Sequence, residues 1–169
     1  MKKLSIFVSL VALFSIASLT VEAQVSAVAE TSANIVGPIS ITKSVDMSFG
    51  NVAVSPTIAG TVLLTPASTR TAGGGVTLPA ITGTVTAAKF TVSGESGTTY
   101  SITLPASISL TNGGNSMTVD NFTSTPTPTG SLATGTEDIF VGGTLNVAAA
   151  QASGLYSNVS DLVVTVNYN

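Results

Sequence analysis

Gly154-Leu-Tyr-Ser-Asn-Val-Ser-Asp-Leu-Val-Val-Thr-Val-Asn-Tyr-Asn169 closes the chain, and its second half decides the fold. From Leu162 the apolar residues recur at every second position. Leu162, Val164, Val166 and Tyr168 share one face; Val163, Thr165, Asn167 and Asn169 share the other. A period of two belongs to a strand with one side against a core. Chain ends fray unless a sheet ties them down, so a strand here implies a terminus built into the core and raises the question of what pairs with it.

The same alternation appears at the other end. From Val25 to Phe49 the odd positions read Val25, Ala27, Ala29, Thr31, Ala33, Ile35, Gly37, Ile39, Ile41, Lys43, Val45, Met47 and Phe49, with mostly polar residues between them. Gly37-Pro38 breaks the run, because proline cannot donate to a ladder. The expectation is an extended arm over 24–34 (or a first strand there), a strand from Ile35 to Val45, and a turn at Phe49-Gly50. Strands are expected at Thr61–Thr65, Lys89–Ser93, Tyr100–Leu104, Ile108–Leu110, Met117–Phe122, Ile139–Val141 and Thr144–Val147. Between them, Arg70–Gly75 reads as a glycine-tipped loop, Gly94–Gly97 as a turn, Asn112-Gly-Gly-Asn115 as a tight hairpin, Thr125–Gly130 as a stiff loop and Gly142-Gly143 as a bulge. Ala148–Ala152 is too short to count as a helix. About nine short strands without a helix predict an all-β, antiparallel β-sandwich in one domain over 24–169.

Composition bounds the rest. Lys2 and Lys3, an apolar run from Ile6 to Ala17 and the small residues of Val21-Glu-Ala23 predict a signal peptide over 1–23, cleaved after Ala23. Of 169 residues, 146 then remain, without a membrane anchor, and the protein is expected to be secreted or at the cell surface via the periplasm. Three bases (Lys43, Arg70, Lys89) face seven acids (Glu30, Asp46, Glu95, Asp120, Glu137, Asp138, Asp161), a net charge of −4. Such a surface repels nucleic acid, whose phosphates require clustered Lys and Arg, and has no electrostatic hold on anionic lipid. With no Cys, packing and strand pairing alone must hold an exported domain.

No chemistry-bearing constellation emerges. Acid–base catalysis usually calls on His or a sheltered carboxylate pair, and His is absent. Glu137-Asp138 is expected in a solvated turn. Asp120-Asn121 and Glu95 lack calcium-loop spacing, and Gly73-Gly74-Gly75 lacks the Lys-Ser/Thr of a phosphate loop. The reading is therefore no enzyme, no cofactor and no metal. Asn121 and Asn158 match glycan acceptors, a pattern common by chance. There is no Trp, and Tyr100, Tyr156 and Tyr168 are expected to pack rather than bind sugar.

Ile39-Ser-Ile-Thr42 with Met47-Ser-Phe-Gly50, Lys89–Gly94 with Tyr100–Pro105, Met117–Phe122, Val141–Val147, Gln151–Tyr156 and Val164–Tyr168 together resemble, in order and spacing, a bacterial family known as domain of unknown function 4402. That family is similar to the spore-coat protein U domain and to pilin subunits of the chaperone–usher type. The resemblance implies an incomplete immunoglobulin-like sandwich whose missing strand is supplied first by a periplasmic chaperone and then by the N-terminal arm of the next subunit. It implies a chaperone- or subunit-facing edge at Leu162, Val164, Val166 and Tyr168, with Gly154 fourteen residues before the penultimate tyrosine. Val25, Ala27, Ala29, Ala33 and Ile35 become the candidate donor residues. Alanine buries far less than the ~1.5–3 kcal/mol of a Val or Leu, so backbone pairing must supply much of such an arm's hold.

The expected function is an exported structural or adhesive subunit of a fimbria-like polymer. Its partners are copies of itself or related subunits, with a periplasmic chaperone and an outer-membrane usher. The alternative is a monomeric secreted sandwich that binds glycan or extracellular matrix.

Overall fold

Alternating Val, Ile and Thr place one side chain in the core and the next in solvent, and the chain spends most of its length in ladders of this kind. The structure, a computed structural model, describes residues 24–169 except Ser160. The proposed signal peptide lies outside the described residues. Residues 24–34 form a unit of their own, without regular secondary structure and exposed throughout.

From residue 35 the described chain is all-β and antiparallel. In order the strands are β1 (Ser40–Val45), β2 (Ser48–Phe49), β3 (Ala53–Val54), β4 (Gly60–Leu64), β5 (Arg70–Gly74), β6 (Val76–Thr77), β7 (Val85–Thr86), β8 (Ala88–Ser93), β9 (Thr98–Thr103), β10 (Ser107–Asn112), β11 (Asn115–Thr125), β12 (Thr129–Leu132), β13 (Thr136–Val147) and β14 (Thr165–Tyr168). The large sheet runs β1-β8-β13-β11-β10, with β4 and β5 joined to β13. A smaller sheet, β12-β9-β14, packs on part of its face. This is the expected antiparallel sandwich, but its two layers are unequal.

The inequality originates in β13. Its first half, Thr136–Val141, pairs with β8; its second half, Gly143–Val147, pairs with β4. The handover falls at Gly142-Gly143, where the chain needs glycine: a Cβ on Gly142 would lie 2.2 Å from the Leu64 carbonyl oxygen. The bulge expected there sits instead on β11, where Asn121 and Phe122 together oppose Gly143, with Asn121 at φ 47°. What reads as two short strands is one long strand.

Two hydrophobic clusters follow. Over the first half of β13, Phe90, Val92, Ile139 and Val141 meet Tyr100, Leu132 and Val166 of the smaller sheet and Val164 just before it. Over the second half, Val62, Leu64, Ile108, Val119, Leu145 and Val147 meet Phe49 and Val76, which stand on two-residue strands. The second cluster has no third sheet over it.

Three other expectations change. The strand expected from Ile35 begins at Ser40, because Gly37 and Pro38 give no ladder: both backbone polar groups of Gly37 are bonded to side chains. Arg70–Gly74 is a strand, paired with β4 from Gly60↔Gly74 to Leu64↔Arg70. Its glycines permit close backbone approach, since a Cβ on Gly75 would fall 1.9 Å from the Ile58 carbonyl oxygen. Glu137 and Asp138 lie within β13 rather than in a solvated turn. The Asn112-Gly-Gly-Asn115 hairpin forms as expected, with Gly113 at φ +59°.

Candidate functional site

Beside the second cluster, beyond the smaller sheet, lies a groove of about 1080 Å³. Its floor is apolar: Phe90, Ile108, Leu110, Met117, Leu145 and Val147 all reach it. A close-packed interior tolerates few voids larger than a water molecule, and this recess is an open surface cleft rather than an internal void.

One wall is the segment Lys43–Val54. It is pinned from behind by the short ladders Ser48↔Thr86, Phe49↔Val85, Ala53↔Thr77 and Val54↔Val76. The Arg70 guanidinium donates to the carbonyls of Phe49, of Asn51 at 2.8 Å and of Thr82 at 3.3 Å. Asn51 N–H donates to the Thr82 carbonyl at 2.7 Å.

The other wall is Gln151–Val159 with Leu162. Thr111 and Ser157 exchange backbone hydrogen bonds of 3.0 and 3.1 Å, and the Asn158 amide donates to the Ser109 carbonyl at 2.7 Å. The Gln151 amide donates to the Ser116 carbonyl at 3.2 Å and to the Tyr156 hydroxyl at 2.8 Å; that hydroxyl donates to the Ala152 carbonyl at 2.9 Å. Gly154 sits on this wall at φ +140°, and a Cβ there would fall 2.1 Å from the Asn112 amide nitrogen. Leu155 and Val159 on its lip are 83% and 99% exposed.

Both walls carry hydrogen bonds of their own and are tied to each other where the Ala150 N–H donates to the Ser55 carbonyl at 2.9 Å, and strand edges at and beyond the cleft lack partners. Among the described residues β1, β2 and β3 each pair on one side only, with β8, β7 and β6, and β14 pairs only with β9. Unpaired N–H and C=O rows beside an apolar floor are what an added strand uses: the ladder supplies affinity and alternate side chains supply fit.

Of the residues expected at the partner-facing edge, Val164 and Val166 are buried in the chain's own core and Leu162 and Tyr168 are half-buried against it. Their side chains look inward; the outward feature of β14 is its backbone edge. The Tyr168 hydroxyl accepts from the Glu95 N–H at 2.7 Å and donates to the Gly37 carbonyl at 3.0 Å, while the Glu95 carboxylate accepts from the Gly37 N–H at 3.4 Å. Of the expected donor residues, Val25 and Ile35 are 93% and 94% exposed, and Ala27, Ala29 and Ala33 are exposed too.

The acidic pair is structurally engaged. Glu137 accepts from the buried Tyr100 hydroxyl at 2.8 Å and the Ser131 N–H at 2.7 Å. Burial, then the Glu137 hydrogen bond and charge, hold the Tyr100 phenol well above its ordinary range. Asp138 meets Lys89 at 2.8 Å and Thr91 at 2.7 Å, and these hydrogen bonds lower its carboxyl below the usual range. Asp120 accepts from the neighbouring Asn121 amide. A shallower depression of about 530 Å³ beside Thr61, Thr118 and Asn146 carries no titratable side chain.

Sequence reasoning named Gly154 and Leu162, which lie on the second wall, but missed the residues that brace the walls. Arg70, Asn51, Gln151 and Asn158 are ordinary polar residues in the sequence, and only the folded chain shows them bracing a cleft.

Fold and site together define an antiparallel β-sandwich with a strand-sized apolar groove. Residues 39–168 match the family described as Domain of unknown function (DUF4402), and the chain belongs to that family. No curated protein and no solved structure matches it.

Proposed function

We propose that this protein is an exported structural or adhesive surface subunit that joins its neighbours by strand exchange into a fimbria-like polymer. The observation that carries the reading is the groove, an apolar floor between two braced walls with unpaired strand edges. The exposed Leu155 and Val159 on its lip support a protein partner, because adjacent large apolar side chains left in solvent mark contact surfaces. The exposed arm over 24–34, apolar on alternate residues, supplies a strand of the required pattern.

The likeness to pilin subunits adds the remaining partners: a periplasmic chaperone that fills the groove during export and an outer-membrane usher that exchanges it for the next arm. Export through a signal peptide cleaved after Ala23 belongs to the same proposal.

Deleting Val25–Ala33 from the exported protein tests it by light scattering and electron microscopy. The polymer is expected to fall to monomers or short chaperone-bound species. Unchanged assembly, or a wild-type chain that stays a stably folded monomer at high concentration, overturns the reading and favours the self-sufficient glycan- or matrix-binding sandwich.

A further inference from the structure

The two sheet edges that flank the groove are not apart along their whole length. At one end Tyr168 closes on Gly37 and Glu95, joining the last residues of β14 to the segment that leads into β1. Gly94 makes room for this contact, since a Cβ there would lie 2.2 Å from the Tyr168 hydroxyl. Ile39 and Ile41 pack against the same core cluster as Val164 and Val166. The groove walls begin only at Lys43 and Leu162, beyond this clasp.

We infer that the groove takes residues Val25–Ile35 of a second copy in its open half only, and that the Tyr168–Gly37–Glu95 clasp is the stop that ends the docked strand before it reaches Thr165–Tyr168. This inference rests on the strand-exchange reading above and fixes its extent. The occupant is a second copy, whose arm over 24–34 is exposed throughout and carries apolar residues at Val25, Ala27, Ala29 and Ala33. The arm, Val25 to Ile35, spans about 36 Å as a strand at ~3.3 Å per residue, and it carries a single charge, Glu30. The groove lining carries only Lys43 and Asp46, already paired with each other, so charge does not oppose docking.

The chain has no cysteine of its own, so introduced cysteines report without background. Mature protein carrying Ala29→Cys is mixed and oxidised with protein carrying Val54→Cys, Leu155→Cys or Thr165→Cys, and disulfide-linked dimers are read on non-reducing gels. Dimers are expected with Val54→Cys and Leu155→Cys, and at least tenfold fewer with Thr165→Cys. Adding Tyr168→Phe, which removes both hydroxyl bonds, is expected to raise the Thr165→Cys yield severalfold while the thermal midpoint stays close to wild type. Equal yields at Thr165→Cys and Leu155→Cys in the wild-type background overturn the stop and leave strand exchange standing. Polymers that form without any arm cross-link overturn the arm as occupant. Absence of both polymer and cross-link overturns the strand-exchange reading itself.

Discussion

Tyr100 lies wholly inside the sandwich, and its hydroxyl finds a carboxylate rather than water. Its ladder partner is Gly130, where a Cβ would fall 2.3 Å from the phenol ring, so a glycine on β12 and a tyrosine on β9 make one packing unit closed by Glu137 from β13. A phenol whose ionisation is raised by folding lends stability that is fully present below the unfolded value near 10 and is lost as pH rises toward the folded one. The urea midpoint is therefore expected to fall steeply above about pH 10, and Tyr100→Phe is expected to flatten that fall; absorbance at the phenolate band checks that this tyrosine ionises late. Asp138 has the opposite sign. Its lowered carboxyl lends stability above the unfolded value, lost as pH falls, although a half-exposed pair with Lys89 contributes little. Glu137 and Asp138 read from sequence as a solvated turn because Gly135-Thr136 precedes them, whereas both find partners on strands far away in the chain.

Individual strands were legible where local pattern suffices. The Asn112-Gly-Gly-Asn115 turn and the alternating burial over 162–168 are properties of neighbouring residues and appear as read, although the strand read from Leu162 pairs only from Thr165. Arg70–Gly74 was not legible, because Gly73-Gly74-Gly75 signals a turn by composition while these glycines here allow close backbone approach to the segment Ile58–Thr61. The β11 bulge at Asn121 escaped for a related reason: which strand of a pair carries the extra residue depends on the partner's register. The groove walls are where a single change should tell most. Gly154→Ala places a side chain at φ +140° against the Asn112 amide, and is expected to lower stability by about 1–3 kcal/mol in chemical denaturation. Gly97→Ala is the useful contrast, since its φ of +80° is strained but nothing lies within 4 Å of the added Cβ.

At the scale of the whole molecule, the defining fact is a large sheet covered by a smaller one over only half its face. The other half is packed under Phe49 and Val76 on two short ladders, and the groove proposed to take the arm borders it. A synthetic peptide of residues 24–36, added to the mature chain, is therefore expected to raise the thermal midpoint progressively with concentration, as a ligand of the folded state does. The same peptide with Val25, Ala27, Ala29, Ala33 and Ile35 replaced by Asp is expected to do nothing, and a flat response to the first peptide would show that the groove does not take the arm. The sequence by itself determined an all-β antiparallel class, a net negative charge, and a terminal strand with its apolar face inward, because each follows from residue type and the two-residue period. Only the tertiary structure decided that β13 serves two neighbours in succession, that the second layer stops short, and that Tyr168 clasps Gly37. Those outcomes depend on contacts between residues up to 131 positions apart, which no local period encodes.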